Sequence, residues 1–256
     1  MYIQLKRALS DLALRALDEA CSAHSGGSRR FISRAALLAA YARRAPKGGP
    51  APREVVERLA VALIEGADIP DDLTWDLAQD FLAYDRERDT LSLRPEYCPH
   101  SAYFRRQVVR LWEVLQACWR DARGGDLRPV RLGLLLFHHG LFFACHEFLE
   151  GVWRSAPEED RGFYHGLIQV AAAFYHHEKG NLHGAKVLLQ RALDKLGVYG
   201  PSYLGVDLED LRQELSRWLD AFSRGRYPVR ASLPRVKFRN LERLTKPDRA
   251  GQNSWS

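Results

Sequence analysis

The sequence is poor in the residues that mark the best-known sites. It has 4 cysteines and 1 methionine in 256 residues. Cys21, Cys98, Cys118 and Cys145 stand far apart with no C-x-x-C pair, which excludes a zinc ribbon or a redox C-x-x-C motif and gives no disulfide framework. The expectation is four reduced thiols in a cytoplasmic protein. No G-x-x-x-x-G-K-[ST], G-x-G-x-x-G or G-x-S-x-G occurs, so the marked routes to phosphate binding and to serine hydrolysis are closed. Long apolar runs are missing too. The longest stretch without a formal charge, Gly162 to His177, holds three histidines and a glutamine, too short and polar to span a bilayer. Asp11, Arg15, Asp18 and Glu19 interrupt the place where a secretory apolar region would lie, so no signal peptide is expected.

What is present is an ordinary globular composition, 46% apolar and 27% charged, with a net charge of +6. The charge is unevenly spread. Residues 224–256 hold nine basic and two acidic side chains, residues 1–60 hold eleven and five, and the middle is acidic. A reading of the whole chain as a nucleic-acid binder would misplace that charge.

Apolar residues recur at three and four rather than at two, which predicts an all-α fold. Leu5, Leu9, Leu12, Ala16 and Ala20 mark a first helix, ended at Ser25–Ser28. Ile32, Ala36 and Leu37 begin a second, broken by Pro46–Pro50, and Val55, Leu59, Ala62 and Leu63 form a third. A fourth is expected around Leu73–Tyr84, then an extended piece at Thr90–Pro95 and a helix from Ser101 to Ala122. Gly124-Gly125-Asp126 offers a break. Beyond it stand two antiparallel hairpins, Val130–His138 with Phe142–Arg154 about Gly140, and Arg161–Glu178 with Leu182–Leu196 about Gly180-Asn181. Small residues at Gly180, Ala185 and Ala192 give the second a tetratricopeptide-like spacing, with a weaker echo at Gly140, Cys145 and Val152. Leu208–Phe222 makes one more helix with Asp207 as its cap. The expected organisation is a helical region over 1–125, a compact bundle of hairpins over 126–222 and a basic, extended or partly disordered tail over 223–256.

Seven of the 9 histidines fall between 138 and 183. His146 and Glu150 lie at i, i+4, and Trp153 extends that face; His165, Gln169, Ala172 and His176 share a face of the next helix. Three readings compete for them. As a metal site, His146 and Glu150 with His165 or His176 would hold Zn, Fe or Mn, although His146-Glu147-x-x-Glu150 has a carboxylate where the zinc-peptidase motif has its second histidine. As a metal-free site, Glu147 or Glu150 would work with a histidine as acid and base. As structure, these groups bond one another across a core and hold the hairpins in register, and this asks least of the sequence. Elsewhere, the Arg29–Arg44 basic run and Thr90–Arg94 could serve as helix and wing of a winged-helix-like region, against the simpler reading of a solvated basic face.

At 137–154, FHHGLFFACHEFLEGVWR, and 166–193, GLIQVAAAFYHHEKGNLHGAKVLLQRAL, the chain resembles the domain-of-unknown-function family 309. That family is marked by F-N-x-G-x-[FY]-F-E-[AC]-H-E-x-L-E-x-x-W-R, then G-L-I-Q-x-A-x-A-x-x-H and G-N-x-x-G-A. Phe137, Gly140, Phe143, His146, Glu147, Glu150, Trp153, Arg154, Gln169, His176, Gly180, Asn181 and Ala185 fall on its positions. The resemblance covers roughly 130–222 and implies a small all-helical, tetratricopeptide-like domain with no established activity. His138 and His165 stand where the family usually has Asn and Gln, adding nitrogen ligands here.

The leading expectation is therefore a small-molecule or metal-binding helical domain, with hydrolysis as its open extension. Glu147 and Glu150 are the candidate catalytic residues. Trp153, Arg154, Gln169 and Asn181 are the candidate ligand contacts, and His146, Glu150, His165 and His176 the candidate metal ligands. In a hydrolytic version a divalent metal would activate water and Glu147 would accept its proton. The alternative is a non-enzymatic adaptor that holds a protein or nucleic acid through its hairpins and basic termini.

Overall fold

The computed structural model describes residues 1–21, 29–45, 47–64, 73–122, 129–225, 233–234 and 236–237. The expected breaks at Ser25–Ser28, Pro46 and Gly124–Asp126, and most of the tail, lie outside them. The described residues are mostly helical with a few short strands, the all-α architecture that the periodicity predicts. None of their helices is long and apolar enough to cross a membrane. The chain divides into two compact units, Met1–Ser155 and Ala156–Ser256.

In the first unit, α1 (Tyr2–Cys21) buries Leu5, Leu9, Leu12, Ala13, Ala16 and Ala20 along one stripe. Helix α2 (Arg30–Arg44) is its centre. Every residue from Ala35 to Ala42 is buried, because alanines let neighbouring helices approach from several sides. Glu19 of α1 caps it from outside: one carboxylate oxygen accepts from both Phe31 N and Ile32 N at 2.9 Å. Tyr41 of α2 is fully buried, and its hydroxyl donates to Gly49 O (2.8 Å) while accepting from Leu93 N (2.6 Å). Burial pushes that phenol up to about 12.

After β1 (Ala51–Pro52) and α3 (Arg53–Ile64) the structure departs from the sequence expectation. The helix foreseen around Leu73–Tyr84 is a single 3-10 turn, Trp75–Ala78, followed by β2 (Leu82–Asp85). Asp85 explains the change, since its Oδ1 accepts from Glu87 N and Arg88 N and folds the chain back. Strand β3 (Thr90–Leu93) then pairs with β2 and with β1, giving an antiparallel sheet ordered β1-β3-β2. The extended piece at Thr90 is thus a hairpin strand. Of the basic residues on the helix beside it, Arg34 pairs with Asp80 and lies over Phe81, while Arg30, Arg43 and Arg44 are exposed.

A second 3-10 segment (Pro95–His100) leads into α4 (Ser101–Ala122), which packs on α1 and α2. The unit closes with α5 (Pro129–His138) and α6 (Phe142–Ser155). The corner between them is a glycine cap: Gly140 has φ +74, Leu141 N donates to Leu136 O and Gly140 N to Phe137 O. Buried Arg110 of α4 donates to Gly140 O at 2.8 Å and fixes this corner.

The second unit repeats the device. Helices α7 (Glu158–Glu178) and α8 (Leu182–Leu196) meet at Gly180, φ +74, with Asn181 N donating to His176 O and Gly180 N to His177 O. Ala185, Leu189, Ala192 and Leu196 of α8 are fully buried. A two-residue turn at Leu204 and Gly205, both with positive φ, joins β4 (Ser202–Tyr203) to β5 (Val206–Asp207). Asp207 caps α9 (Leu208–Ser223) by accepting from Asp210 N at 3.1 Å, as its position predicts. From the tail, Val236 is buried, and Lys237 accepts from Asp207 N through its carbonyl and pairs with Asp210 at 2.9 Å.

Candidate functional site

Helix α6 presents two chemically different faces. Phe142, Ala144, Cys145 and Leu149 are buried. Gly133 of α5 permits this close approach, because a Cβ there would lie 2.5 Å from Leu149 Cδ2, and Cys145 Sγ donates to Gly133 O at 3.2 Å. The other face carries His146, Glu147, Glu150 and Arg154.

One ligand atom each from His146, Glu147 and Glu150 lies within 4.8 Å of the others. His146 Nδ1 is 3.3 Å from a Glu147 oxygen and 4.0 Å from a Glu150 oxygen. Neither contact has hydrogen-bond geometry, and this buried nitrogen has no hydrogen-bond partner. The side chains are 31%, 41% and 34% exposed, so the group is neither sealed nor fully solvated. The His146 ring lies parallel to that of Phe143, with centroids 6.4 Å apart, and Lys6 Nζ sits 3.7 Å from the Phe143 centroid. Glu150 also accepts from Arg154 at 3.0 Å, so His146, Glu150 and Arg154 form an i, i+4, i+8 row along the helix. Trp153 is half-buried one turn beyond Glu150.

The spacing suits a cation. Two atoms bound tetrahedrally to one ion at about 2.1 Å stand roughly 3.4 Å apart. The His146–Glu147 separation of 3.3 Å meets that, and the His146–Glu150 separation of 4.0 Å needs only a small side-chain adjustment. The i, i+1 and i, i+4 spacing is what lets one helix supply all three groups.

The remaining expected residues belong to the second unit, on and after α7. His165 is half-buried, and burial, with Lys195 adding to it, holds its imidazole below the usual range. Gln169 is buried and its Oε1 has no hydrogen-bond partner. His176 and Asn181 are joined to each other: Asn181 Nδ2 lies 2.9 Å from His176 Nδ1, and Asn181 Oδ1 accepts from Gly184 N at 2.9 Å. Asn181, foreseen as a ligand contact, is thus the N-cap of α8. The same rule that found Asp207 would have found it, since both stand just before an apolar-periodic run. Arg110 escaped notice because a lone arginine in an amphipathic helix reads as solvated.

Residues 130–188 match the family model described as Domain of unknown function (DUF309). Over 53 residues the chain is 43% identical to "Uncharacterized protein YpuF" of Bacillus subtilis (strain 168), a match covering 20% of this chain and 30% of that protein. The chain therefore spans under a third of the length of this curated relative. No solved structure matches. The matched segment holds the Gly140 corner, the His146-Glu147-x-x-Glu150 face and the Gly180-Asn181 corner.

Proposed function

We propose that the outer face of α6 binds a divalent transition metal, Zn, Fe or Mn, through His146, Glu147 and Glu150. The observation that supports this is a buried imidazole nitrogen without a hydrogen-bond partner, beside two carboxylates whose oxygens lie within 4.8 Å of it. One nitrogen and two oxygens make a donor set that borderline transition metals accept and that calcium or magnesium favours less. Three ligands leave coordination positions open, as hydrolytic centres require. With Glu147 serving as a ligand, it is no longer the free base foreseen from the sequence, and Arg154 and Trp153 on the same helix are the proposed substrate contacts.

The test is elemental analysis of untagged protein purified without chelator, beside His146→Ala and Glu150→Gln. Near-stoichiometric metal that disappears in both variants, with helicity retained, supports the site. Metal-free protein that also takes up none of the three ions on dialysis overturns the proposal and leaves a row of helical charge pairs.

A further inference from the structure

We propose that Cys21 and Cys118 are a reversible dithiol–disulfide pair that closes the seam between α1 and α4 on exposure to a hydroperoxide. The two sulfurs are 3.8 Å apart although 97 residues separate them in sequence. A disulfide bond is about 2.05 Å long, so the sulfurs must approach by roughly 1.8 Å. Cys21 is the last residue of α1 and is half-buried, whereas Cys118 is fully buried on α4. An oxidant therefore meets Cys21 first. The hydrogen bond from Cys118 lowers the Cys21 thiol against the opposing pull of burial, which favours its thiolate.

The other thiols lack this combination. Cys145 is fully buried, burial pushes it far up, and its Sγ is engaged by Gly133 O. Cys98 is exposed and donates to the carbonyls of Leu93 and Arg94.

The chemistry balances in two steps. The Cys21 thiolate attacks one peroxide oxygen and the O–O bond breaks, leaving Cys21 as a sulfenic acid and releasing an alcohol, or water from hydrogen peroxide, once the leaving oxygen takes a proton. The Cys118 sulfur then attacks the Cys21 sulfur. The S–O bond breaks, the departing hydroxide takes the Cys118 proton as water, and the S–S bond forms. The two thiols lose two electrons in all, and the peroxide gains them.

The experiment uses the full-length reduced protein, a small excess of hydrogen peroxide, and peptide mass mapping without reductant. The expected product is a Cys21–Cys118 cross-linked peptide two hydrogens lighter than its parts, reversed by dithiothreitol. In Cys118→Ser the sulfenic acid at Cys21 has no resolving thiol, so its labelling by dimedone should rise several-fold; Cys118→Ala is the substitute if the serine disturbs the core. Peroxide that oxidises Cys98 yet leaves Cys21 and Cys118 open to alkylation after denaturation overturns the proposal, as does Cys21 sulfinic acid without a cross-link. Either result would make the pair two packed thiols.

Discussion

Gly184 stands where a side chain would collide with His176: a Cβ there would lie 2.7 Å from the imidazole Nδ1. That relationship gives the G-N-x-x-G part of the second motif a physical reading. Gly180 supplies the left-handed corner, Asn181 caps α8 through Oδ1 and holds His176 through Nδ2, and Gly184 leaves room for both. Three motif positions are thereby accounted for by the corner itself.

Gly184→Ala should force His176 and Asn181 aside and destabilise the protein by about 1–3 kcal/mol, the usual cost of overpacking. Asn181→Ala should cost about 1 kcal/mol for the lost cap. Because the two residues share His176, the double variant should lose less than the sum. Urea denaturation of the three proteins checks this. A neutral Gly184→Ala would mean that His176 leaves its place freely, and the corner would not explain the motif.

Two other glycines should respond with opposite signs. Gly140 has φ +74, so Gly140→Ala should cost about 1–2 kcal/mol by forcing a Cβ into the left-handed region. Gly151 lies inside α6, and a Cβ added there would meet nothing within 4 Å. Gly151→Ala should therefore stabilise by about 0.5–1 kcal/mol, through helix propensity alone. Thermal melts monitored by circular dichroism separate them, and a shift of the same sign in both would contradict the backbone argument.

The fold's stability should carry a pH signature from His165. Burial, then Lys195, lowers its pKa in the folded state relative to the ordinary value of 6.5. The unfolded chain therefore binds the proton more readily. The contribution is fully present above pH 6.5 and is lost as pH falls through that value toward the lower folded one. His165→Gln, which introduces the residue usual in the family, should flatten the decline in stability below pH 6.5 relative to the parent. Denaturation midpoints at stepwise pH values are the measurement; parallel curves for the two proteins would rule out His165 as the source.

How far the sequence reveals these features depends on the physics behind each one. Helical periodicity marks α1, both hairpins and α9, because each buries a stripe at three and four, and Asp207 is readable as a cap from its place before Leu208. The β2–β3 hairpin is harder to read. Leu82 and Tyr84 sit in a segment whose apolar spacing also fits a helix, and the turn is decided by Asp85 reaching Glu87 N and Arg88 N. The β4–β5 turn is hidden because Leu204, with φ +44, occupies a position where Asn or Gly is the usual signal. At the site, i, i+4 spacing suffices to place His146 and Glu150 together on one helix. Contacts between distant segments, such as Arg110 with Gly140 or Cys21 with Cys118, leave no local pattern to read.

Arg154 separates the two accounts of the α6 face. Its guanidinium donates to Glu150 at 3.0 Å, and the pair is partly exposed. If Glu150 serves only in a row of helical charges, Arg154→Ala removes one surface ion pair, costs about 0.3–0.5 kcal/mol and changes nothing else. If Glu150 is a metal ligand, Arg154 competes with the cation for the same carboxylate. Its removal should then tighten metal binding several-fold, because the guanidinium charge beside the carboxylate no longer opposes the cation. Isothermal titration of the parent and Arg154→Ala with zinc, in the presence and absence of Glu150→Gln, distinguishes them. Tighter binding that vanishes with Glu150→Gln places the carboxylate in the coordination sphere. Equal affinity in all backgrounds assigns Glu150 to the charge row, and the motif's second carboxylate to helix stability.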